Sequence, residues 1–166
     1  MISDNLQQQN IPPIEEALSK TRLRLWLKIL KTSRAIEAEV RERLRSEFGS
    51  TLPRFDVLAA LHRSHDGLKM GDLSAELKVS NGNVTGIVER LVKDGMVLRV
   101  PVPRDRRALL VRLTQKGKEH FLTLATAHEE WMDELLGVFD EAEANQLQSL
   151  LGLTDNQIHD DERINE

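Results

Sequence analysis

Short hydrogen-bonding side chains crowd the stretch SNGNVTG, which occupies residues 80–86. Ser80, Asn81, Asn83 and Thr85 carry hydroxyl and amide groups of the kind that bind phosphates and base edges, and asparagine can recognise adenine. If a helix begins here with Ser80 as its N-cap, its first backbone amides and its dipole also favour a negatively charged ligand. These residue types therefore predict binding to a nucleic acid.

Two glycines and a lysine share the outward face of the same predicted helix, residues 81–94. Gly82 and Gly86 each cost about 0.8–1 kcal/mol relative to alanine, so close approach to DNA is one explanation and drift on an unused surface is the other. Glu89 would repel phosphate, and we expect it to pair with Lys93, one helical turn further on. The inward face carries the apolar side chains Val84, Ile87, Val88 and Leu91.

A basic β-hairpin is predicted directly after this helix. Residues 97–100 and 108–113 have the composition of strands, and Pro101 and Pro103 limit strand pairing at the tip between them. Guanidinium groups on an exposed loop suit the narrow, negative minor groove of DNA, and a loop that only improves solubility is the alternative. The tip carries Arg104, Asp105, Arg106 and Arg107, with Asp105 expected to orient an arginine.

The net charge is distributed unevenly along the chain. The whole chain carries −4, whereas residues 1–53, 54–118 and 119–166 carry +2, +6 and −12. The lysines and arginines that phosphate binding requires are therefore concentrated in the middle of the sequence, with an acidic segment behind them. This asymmetry predicts that the middle segment faces the nucleic acid.

Hydrophobic periodicity predicts a mainly α-helical protein with a small β-hairpin wing. The long first helix carries more apolar surface than one small domain covers, so we expect a partner chain against it. Two shorter helices over 70–78 and 81–94 form a predicted helix-turn-helix. The predicted organisation is a flexible leader at 1–13, a dimerisation helix at 14–49, a winged helix-turn-helix lobe at 53–114, C-terminal dimerisation helices at 115–154 and a frayed acidic tail at 155–166.

Local signals set several of these boundaries. Pro53 fits the first turn of a helix, Gly95 stops the helix that starts at residue 81, and Thr114 can cap the next long helix. The last helix is expected near residues 141–151.

Composition excludes several classes of site. The 166 residues include no cysteine, which rules out disulfides, thiolate metal sites and cysteine-based redox sensing. No stretch approaches the ~18 apolar residues of a membrane span, and the N-terminus lacks the pattern of a secretion signal. We therefore expect a cytoplasmic protein with no cofactor, no metal and no membrane partner.

A resemblance to the MarR family of bacterial regulators rests on two stretches, MGDLSAELKVSNGNVTGIVERLVKDG and VLRVPVPRDRRALLVRLTQKG. The similarity covers about residues 53–118 and includes the Asp-x-Arg wing motif as Asp105 and Arg107, and the strand end Leu113-Thr114. The flanking helices match in placement only. The resemblance implies a homodimer that binds pseudo-palindromic double-stranded DNA through two winged-helix lobes.

The resemblance also implies repression relieved by a small aromatic or phenolic ligand, bound between the dimerisation helices and the DNA-binding lobe. Because redox-sensing members use cysteine, its absence leaves ligand sensing as the expected input. An arginine beside an aromatic ring would suit an anionic aromatic ligand, and packing or surface charge is the alternative role for such residues. The candidates are Arg22, Trp26, Arg34 and His62.

Two other classes of function compete with a DNA-binding regulator. An enzyme could use His62, His65 and Asp66 as metal ligands, or His120 and His128 as acid and base, but no catalytic motif accompanies them. A winged helix that binds proteins instead of DNA is the second alternative. Its wing would not need three arginines, and its binding would not weaken steeply with salt.

Overall fold

The computed structural model describes residues 13–102 and 105–164, and the side chains of residues 17–101 and 109–154. These residues form six helices and three strands, which confirms the predicted mainly helical class with a hairpin. In chain order they are α1 (Pro13–Phe48), α2 (Leu52–Arg63), β1 (Leu68–Lys69), α3 (Met70–Glu76), α4 (Asn81–Lys93), β2 (Val97–Val102), β3 (Asp105–Leu113), α5 (Gln115–Leu136) and α6 (Glu141–Ile164).

The predicted long first helix is present as α1, and only its C-terminal part packs against the rest of the chain. Its 36 residues make a rod of about 54 Å. Val40 and Leu44 are buried, whereas Leu18, Leu25 and Trp26 are exposed. The N-terminal half of α1 therefore lies outside the core of its own chain.

The helix-turn-helix consists of α3 and α4, with α2 packed against both. Pro53 lies in the first turn of α2, as predicted. The prediction that α3 continues to Lys78 is wrong, because Lys78 adopts φ of +52° and turns the chain. The amides of Lys78 and Val79 donate to the carbonyls of Ala75 and Ser74, which closes the end of the helix.

A three-stranded antiparallel sheet in the order β1-β3-β2 forms the wing. Strand β1 was not predicted from the sequence; its two residues pair with β3 so that Leu68 lies opposite Val111. The β2–β3 pair runs from Val97 opposite Leu113 towards the tip, with an irregularity between Pro101 and Val102. Both strands extend further towards the tip than the composition predicts, and Pro101 lies within β2 beside the register shift without ending the strand.

The core lies inside the winged helix-turn-helix lobe and between it and the two adjoining long helices. Its largest fully buried side chains come from α1 through α5, and the described part of α6 contributes none. They are Leu44, Val57, Leu58, Leu73, Val84, Val88, Leu91, Val97, Val111 and Leu124.

The end of α4, the start of β2 and the first turn of α5 meet at one junction. Gly95 takes φ of +71° just after α4, the conformation for which glycine is suited, and so ends this helix as predicted. Thr114 caps α5 by accepting from the Gly117 amide at 2.9 Å, also as predicted. A Cβ on Gly117 would lie 1.9 Å from the Met96 carbonyl oxygen, so only glycine allows this approach.

The last helix is longer than predicted. We expect a helix near 141–151 and a frayed tail over 155–166 from the sequence, but α6 continues to Ile164. Residues 153–164 contain no proline or glycine, so nothing in the sequence breaks the backbone hydrogen-bond ladder there.

We predict that Gly117→Ala lowers the free energy of unfolding by about 3 kcal/mol, since the new methyl group would overlap a backbone carbonyl that cannot move aside. The matched control is Gly71→Ala in α3, where an added Cβ meets nothing within 4 Å. Chemical denaturation of both variants is the measurement. Equal stability of the two would contradict the packing described at this junction.

Candidate nucleic-acid interface

The predicted inward and outward faces of α4 are largely correct. Val84, Val88 and Leu91 are fully buried, while Asn81, Gly82 and Asn83 are exposed. Ile87 is half-buried and packs on the edge of the core. The helix therefore presents a polar N-terminal end to solvent, supported from behind by an apolar face.

Ser80 occupies the N-cap position of α4, but its side chain makes no capping hydrogen bond. The prediction of a side-chain cap is therefore wrong in this respect. The Ser80 carbonyl accepts from the Val84 amide and begins the helical ladder, while its side chain stays exposed. Because the Ser80 hydroxyl does not cap the helix, it can contact a ligand.

Two of the predicted contact residues, Thr85 and Gly86, are less accessible than the sequence suggests. Both are half-buried, and the Thr85 hydroxyl donates to the Asn81 carbonyl at 2.8 Å. Gly82 and Gly86 line a cavity of about 700 Å³ between α4 and the ends of α1 and α2. Apart from the neighbouring backbone of α4 itself, no described atom lies within 4 Å of a Cβ built on either glycine, so packing against the rest of the chain does not require them.

The predicted pairing of Glu89 with Lys93 is replaced by a contact across to the wing. The Glu89 carboxylate lies 4.0 Å from the Arg99 guanidinium on β2. Because β2 runs beside α4, this arginine competes with the lysine one turn along the helix. Lys93 itself is exposed near the C-terminal end of α4.

The structure describes the backbone of only three of the four wing residues that were predicted to bind DNA. Arg104 lies outside the described residues. Asp105, Arg106 and Arg107 begin β3, and their side chains also lie outside the described set. The prediction that Asp105 orients an arginine stays a prediction.

Two carboxylates near α4 have pKa values shifted in opposite directions. Burial raises the pKa of Asp56, on the wall of the cavity beneath α4, more than the nearby Arg41 lowers it. A hydrogen bond from Arg54, at 2.6 Å, holds the pKa of Asp94 below its ordinary value. Asp94 is thus a stable anion beside α4, whereas Asp56 resists ionisation.

The four candidate effector residues do not share one site within the chain. Arg22 and Arg34 are exposed on α1, and Trp26 is 55% exposed on the same helix. His62 instead lines a cavity of about 280 Å³ between the end of α2, the base of the wing and the start of α5. Its ring lies 4.7 Å from that of Phe121, and its Nδ1 is buried without a hydrogen-bond partner among the described atoms.

The basic residues that line the cavity with His62 were not predicted from the sequence. Arg112 on β3 and Lys118 on α5 line the same cavity, and the Arg112 guanidinium donates to the His65 carbonyl at 3.1 Å. The sequence does place Arg112 directly before Leu113-Thr114, and therefore close to the start of α5. Predicting that it lines the cavity would also have required knowing that Arg112 pairs with Leu98, and composition does not give the strand register.

The comparisons with known proteins agree with this architecture. A family model described as the MarR family matches residues 48–108. BadR, a transcriptional activatory protein of Rhodopseudomonas palustris, is 37% identical over 128 residues, which are 75% of this chain and 68% of that protein. The crystal structure of a MarR family transcriptional regulator from Silicibacter pomeroyi is 35% identical, covers 84% of this chain and 96% of its own, and has a TM-score of 0.70.

The chain belongs to the MarR family. A further MarR family structure, Sco3205 from Streptomyces coelicolor in complex with DNA, shares the fold with a TM-score of 0.72 at 20% identity, over 84% of this chain and 88% of its own. Regulators of this family bind DNA and act as dimers.

Membership of the MarR family makes this chain a transcriptional regulator and rules against the enzyme alternative. Within the described ranges, no group of three or more potential ligands could hold a metal ion. The described helices are also too short or too polar to cross a membrane.

We predict that Asp56→Asn stabilises the protein at neutral pH, because the folded state then no longer buries a carboxylate. A raised pKa means that the folded state binds the Asp56 proton more tightly than the unfolded state does, so the cost appears as pH rises through the folded pKa. The advantage of the variant therefore shrinks as pH falls through that value. Thermal unfolding from pH 7 to pH 4 is the measurement.

Asp94→Asn is the matched comparison, with the opposite sign. The pKa of Asp94 is lowered, so its contribution to stability is present above the ordinary aspartate pKa and is lost only as pH falls through the lower folded value. Destabilisation by Asp56→Asn at neutral pH would contradict the burial argument.

Proposed function

We propose that this MarR-family regulator is a homodimer that places the N-terminal end of α4 in the major groove and the wing in the adjacent minor groove of a pseudo-palindromic operator. The observation that carries the proposal is the polar N-terminal end of α4, Asn81 to Asn83, exposed beside a basic hairpin. Asparagine amides can pair with the edge of adenine in the major groove. Ser80, Thr85, Gly86 and Lys93 complete the proposed contacts on this helix.

The wing supplies the sequence-independent part of the proposed contact. Arg106 and Arg107 lie at the start of β3, in the hairpin that follows α4, and Arg104 precedes them in the sequence. Arginine is favoured in narrow minor grooves, where the negative potential is strongest. The charge of +6 on residues 54–118 supports binding of this lobe to phosphate, and the −12 on residues 119–166 favours the opposite orientation for the helices behind it.

A second copy of the chain is the proposed cover for apolar side chains on α1 and α6. Soluble monomers rarely expose large contiguous apolar patches, yet large side chains on both helices are 40–66% exposed. A dimer formed through these helices would bury them and join the two lobes. The exposed residues are Leu18, Leu23, Leu25, Trp26, Leu27, Leu147, Leu150, Leu151 and Leu153.

The cavity at His62 is the proposed site for an effector. The described residues that line it include Arg112, Lys118 and two histidines, and none of them is acidic. Leu61, Leu98, Val100 and Leu113 supply apolar surface in the same cavity. A volume of about 280 Å³ is near the lower end for small-molecule sites. These features fit a single aromatic ring that carries a carboxylate or phenolate.

Such a ligand would touch α2, the wing and α5 at once, so its binding can change the position of the wing relative to α4. The change requires different affinities for the DNA-competent and the DNA-incompetent arrangements. We propose repression as the output, with release by the ligand. The name of BadR describes a transcriptional activatory protein, so the sign of regulation is a separate question from DNA binding.

We predict distinct defects from two substitutions, measured on DNA fragments retained from the organism's own sheared genome. Arg107→Ala should weaken binding to all sequences and reduce the slope of log K against log salt by about 1. Asn83→Ala should cost roughly 1–3 kcal/mol on the retained sites and relax preference at one base pair. Fluorescence anisotropy at several salt concentrations is the measurement.

Arg45→Ala serves as the control, because Arg45 is exposed on α1 and pairs with Glu42 of the same helix. Wild-type affinity in both the Arg107 and the Asn83 variants would overturn the proposed interface. Binding to a protein partner that is insensitive to salt, with no affinity for DNA, would favour the protein-interaction alternative.

We predict that His62→Phe keeps operator binding but weakens release by benzoates or phenols at least roughly tenfold, because a residue that lines the cavity loses its hydrogen-bonding nitrogens while the ring packing on Phe121 is kept. Titration of the protein–DNA complex with a panel of such compounds is the measurement. Lys69→Gln on β1, exposed and outside the cavity lining, is the control. Release of His62→Phe at the wild-type ligand concentration would exclude this cavity.

A further inference from the structure

The C-terminal end of α4 is tied to α2 by an ion pair. The Arg54 guanidinium lies 2.6 Å from the Asp94 carboxylate, and the two side chains are 22% and 42% exposed. Arg54 lies near the start of α2, and Asp94 is the C-cap of α4. The pair therefore joins two helices at one point, away from the end of α4 that carries the exposed asparagines.

The first turn of α5 holds the same end of α4 from a second direction. Lys116 Nζ donates to the Asp94 carbonyl at 2.9 Å, and the Thr114 hydroxyl donates to the Gly95 carbonyl at 2.7 Å. Close contact between Gly117 and the Met96 carbonyl completes this turn. The C-terminal end of α4 is thereby fixed to both α2 and α5.

Among the described residues, the N-terminal end of α4 has no comparable ion pair or side-chain cap; it is held by the buried side chain of Val84 and by packing against α3. Asn81, Gly82 and Asn83 are exposed, and the Ser80 side chain makes no capping bond. The 13 residues of α4 span roughly 20 Å. A tilt of about 5° about the C-terminal end would therefore move the N-terminal end by about 1.7 Å, which is large against the ~0.5 Å range of hydrogen-bond lengths.

We propose that Arg54 and Asp94 are positioning residues whose ion pair sets the tilt of α4 relative to α2 and α5, and with it the spacing between the two recognition helices of the dimer. This inference rests on the proposed function, in which α4 reads DNA from each half of a dimer. Neither residue needs to touch DNA for this role.

The energetics favour positioning over stability as the purpose of the pair. Partly exposed ion pairs contribute only about 0–1 kcal/mol to stability, so variants that lack this one should fold. Its geometry is nevertheless specific, since Arg54 Nη2 donates a direct hydrogen bond to Asp94 Oδ2 at 2.6 Å. An ordered ion pair at the C-terminal end of α4 therefore affects the tilt of the helix more than it affects the free energy of unfolding.

The test is the dependence of DNA affinity on half-site spacing. A retained operator is resynthesised with one or two base pairs inserted or removed at its centre, and each duplex is titrated with wild type, Asp94→Asn, Arg54→Gln and the double variant. We expect either single variant to lose roughly three- to thirtyfold affinity at the preferred spacing and less at the others. The double variant should lose no more affinity than the single variant that binds DNA more weakly, because the two residues act as one unit.

Glu76→Gln is the matched control, since it breaks the 2.6 Å pair between Arg63 and Glu76, which joins α2 to α3 and does not reach α4. Thermal unfolding of every variant excludes loss of folded protein. If Asp94→Asn does unfold, Arg54→Lys, which keeps a single charged donor, should show an intermediate spacing profile.

Uniform loss of affinity at all spacings, or losses that add in the double variant, would overturn the positioning role. A wild-type protein that binds DNA without any spacing preference would instead contradict the proposed dimeric function. The two failures are therefore distinguishable in one experiment.

Discussion

The polar end of α4 can face outward because Val84, Val88 and Leu91 on its other side are completely buried. Burying three aliphatic side chains contributes several kcal/mol, on the order of 1.5–3 for each. That contribution fixes the rotation of the helix about its axis, and it determines which residues remain accessible. The tilt of the axis is a separate variable, and polar contacts with α2 and α5 act on it at the C-terminal end of the helix.

A single chain buries only part of its apolar side chains. The lobe buries its apolar residues well, whereas the N-terminal half of α1 and the described part of α6 leave leucines and a tryptophan exposed. In the proposed dimer this division corresponds to two tasks, since a compact lobe can present α4 by itself while two lobes need a connection. The acidic charge of residues 119–166 lies with α5 and α6, behind the basic lobe in the sequence.

Local signals in the sequence predicted the features that local chemistry determines. Pro53, Gly95 and Thr114 mark helix ends because each acts on the backbone of its immediate neighbours. The strand β1 was missed because two residues become a strand only through pairing with Val111 and Leu110, some forty residues further along the chain. The partner of Glu89 was assigned wrongly for the same reason, since Arg99 reaches it across a tertiary contact.

The candidate site also has a part that the sequence predicts and a part that depends on tertiary contacts. Hydrogen-bonding residues at the start of α4 could be selected from the sequence, because helix position and residue type suffice. The cavity at His62 could not, because it brings α2, the wing and α5 together and depends on strand register. The hydroxyls of Ser80 and Thr85 could not be told apart from the sequence, since residue type does not reveal which of them bonds to the backbone.

The most direct measurement is a hydroxyl-radical footprint of the full-length protein on an operator selected from genomic DNA. Two α4 helices presented by a symmetric dimer should protect two patches about one helical turn apart, ~34–36 Å, related by two-fold symmetry. A single protected patch at saturating protein, or two patches without that symmetry, would contradict the account.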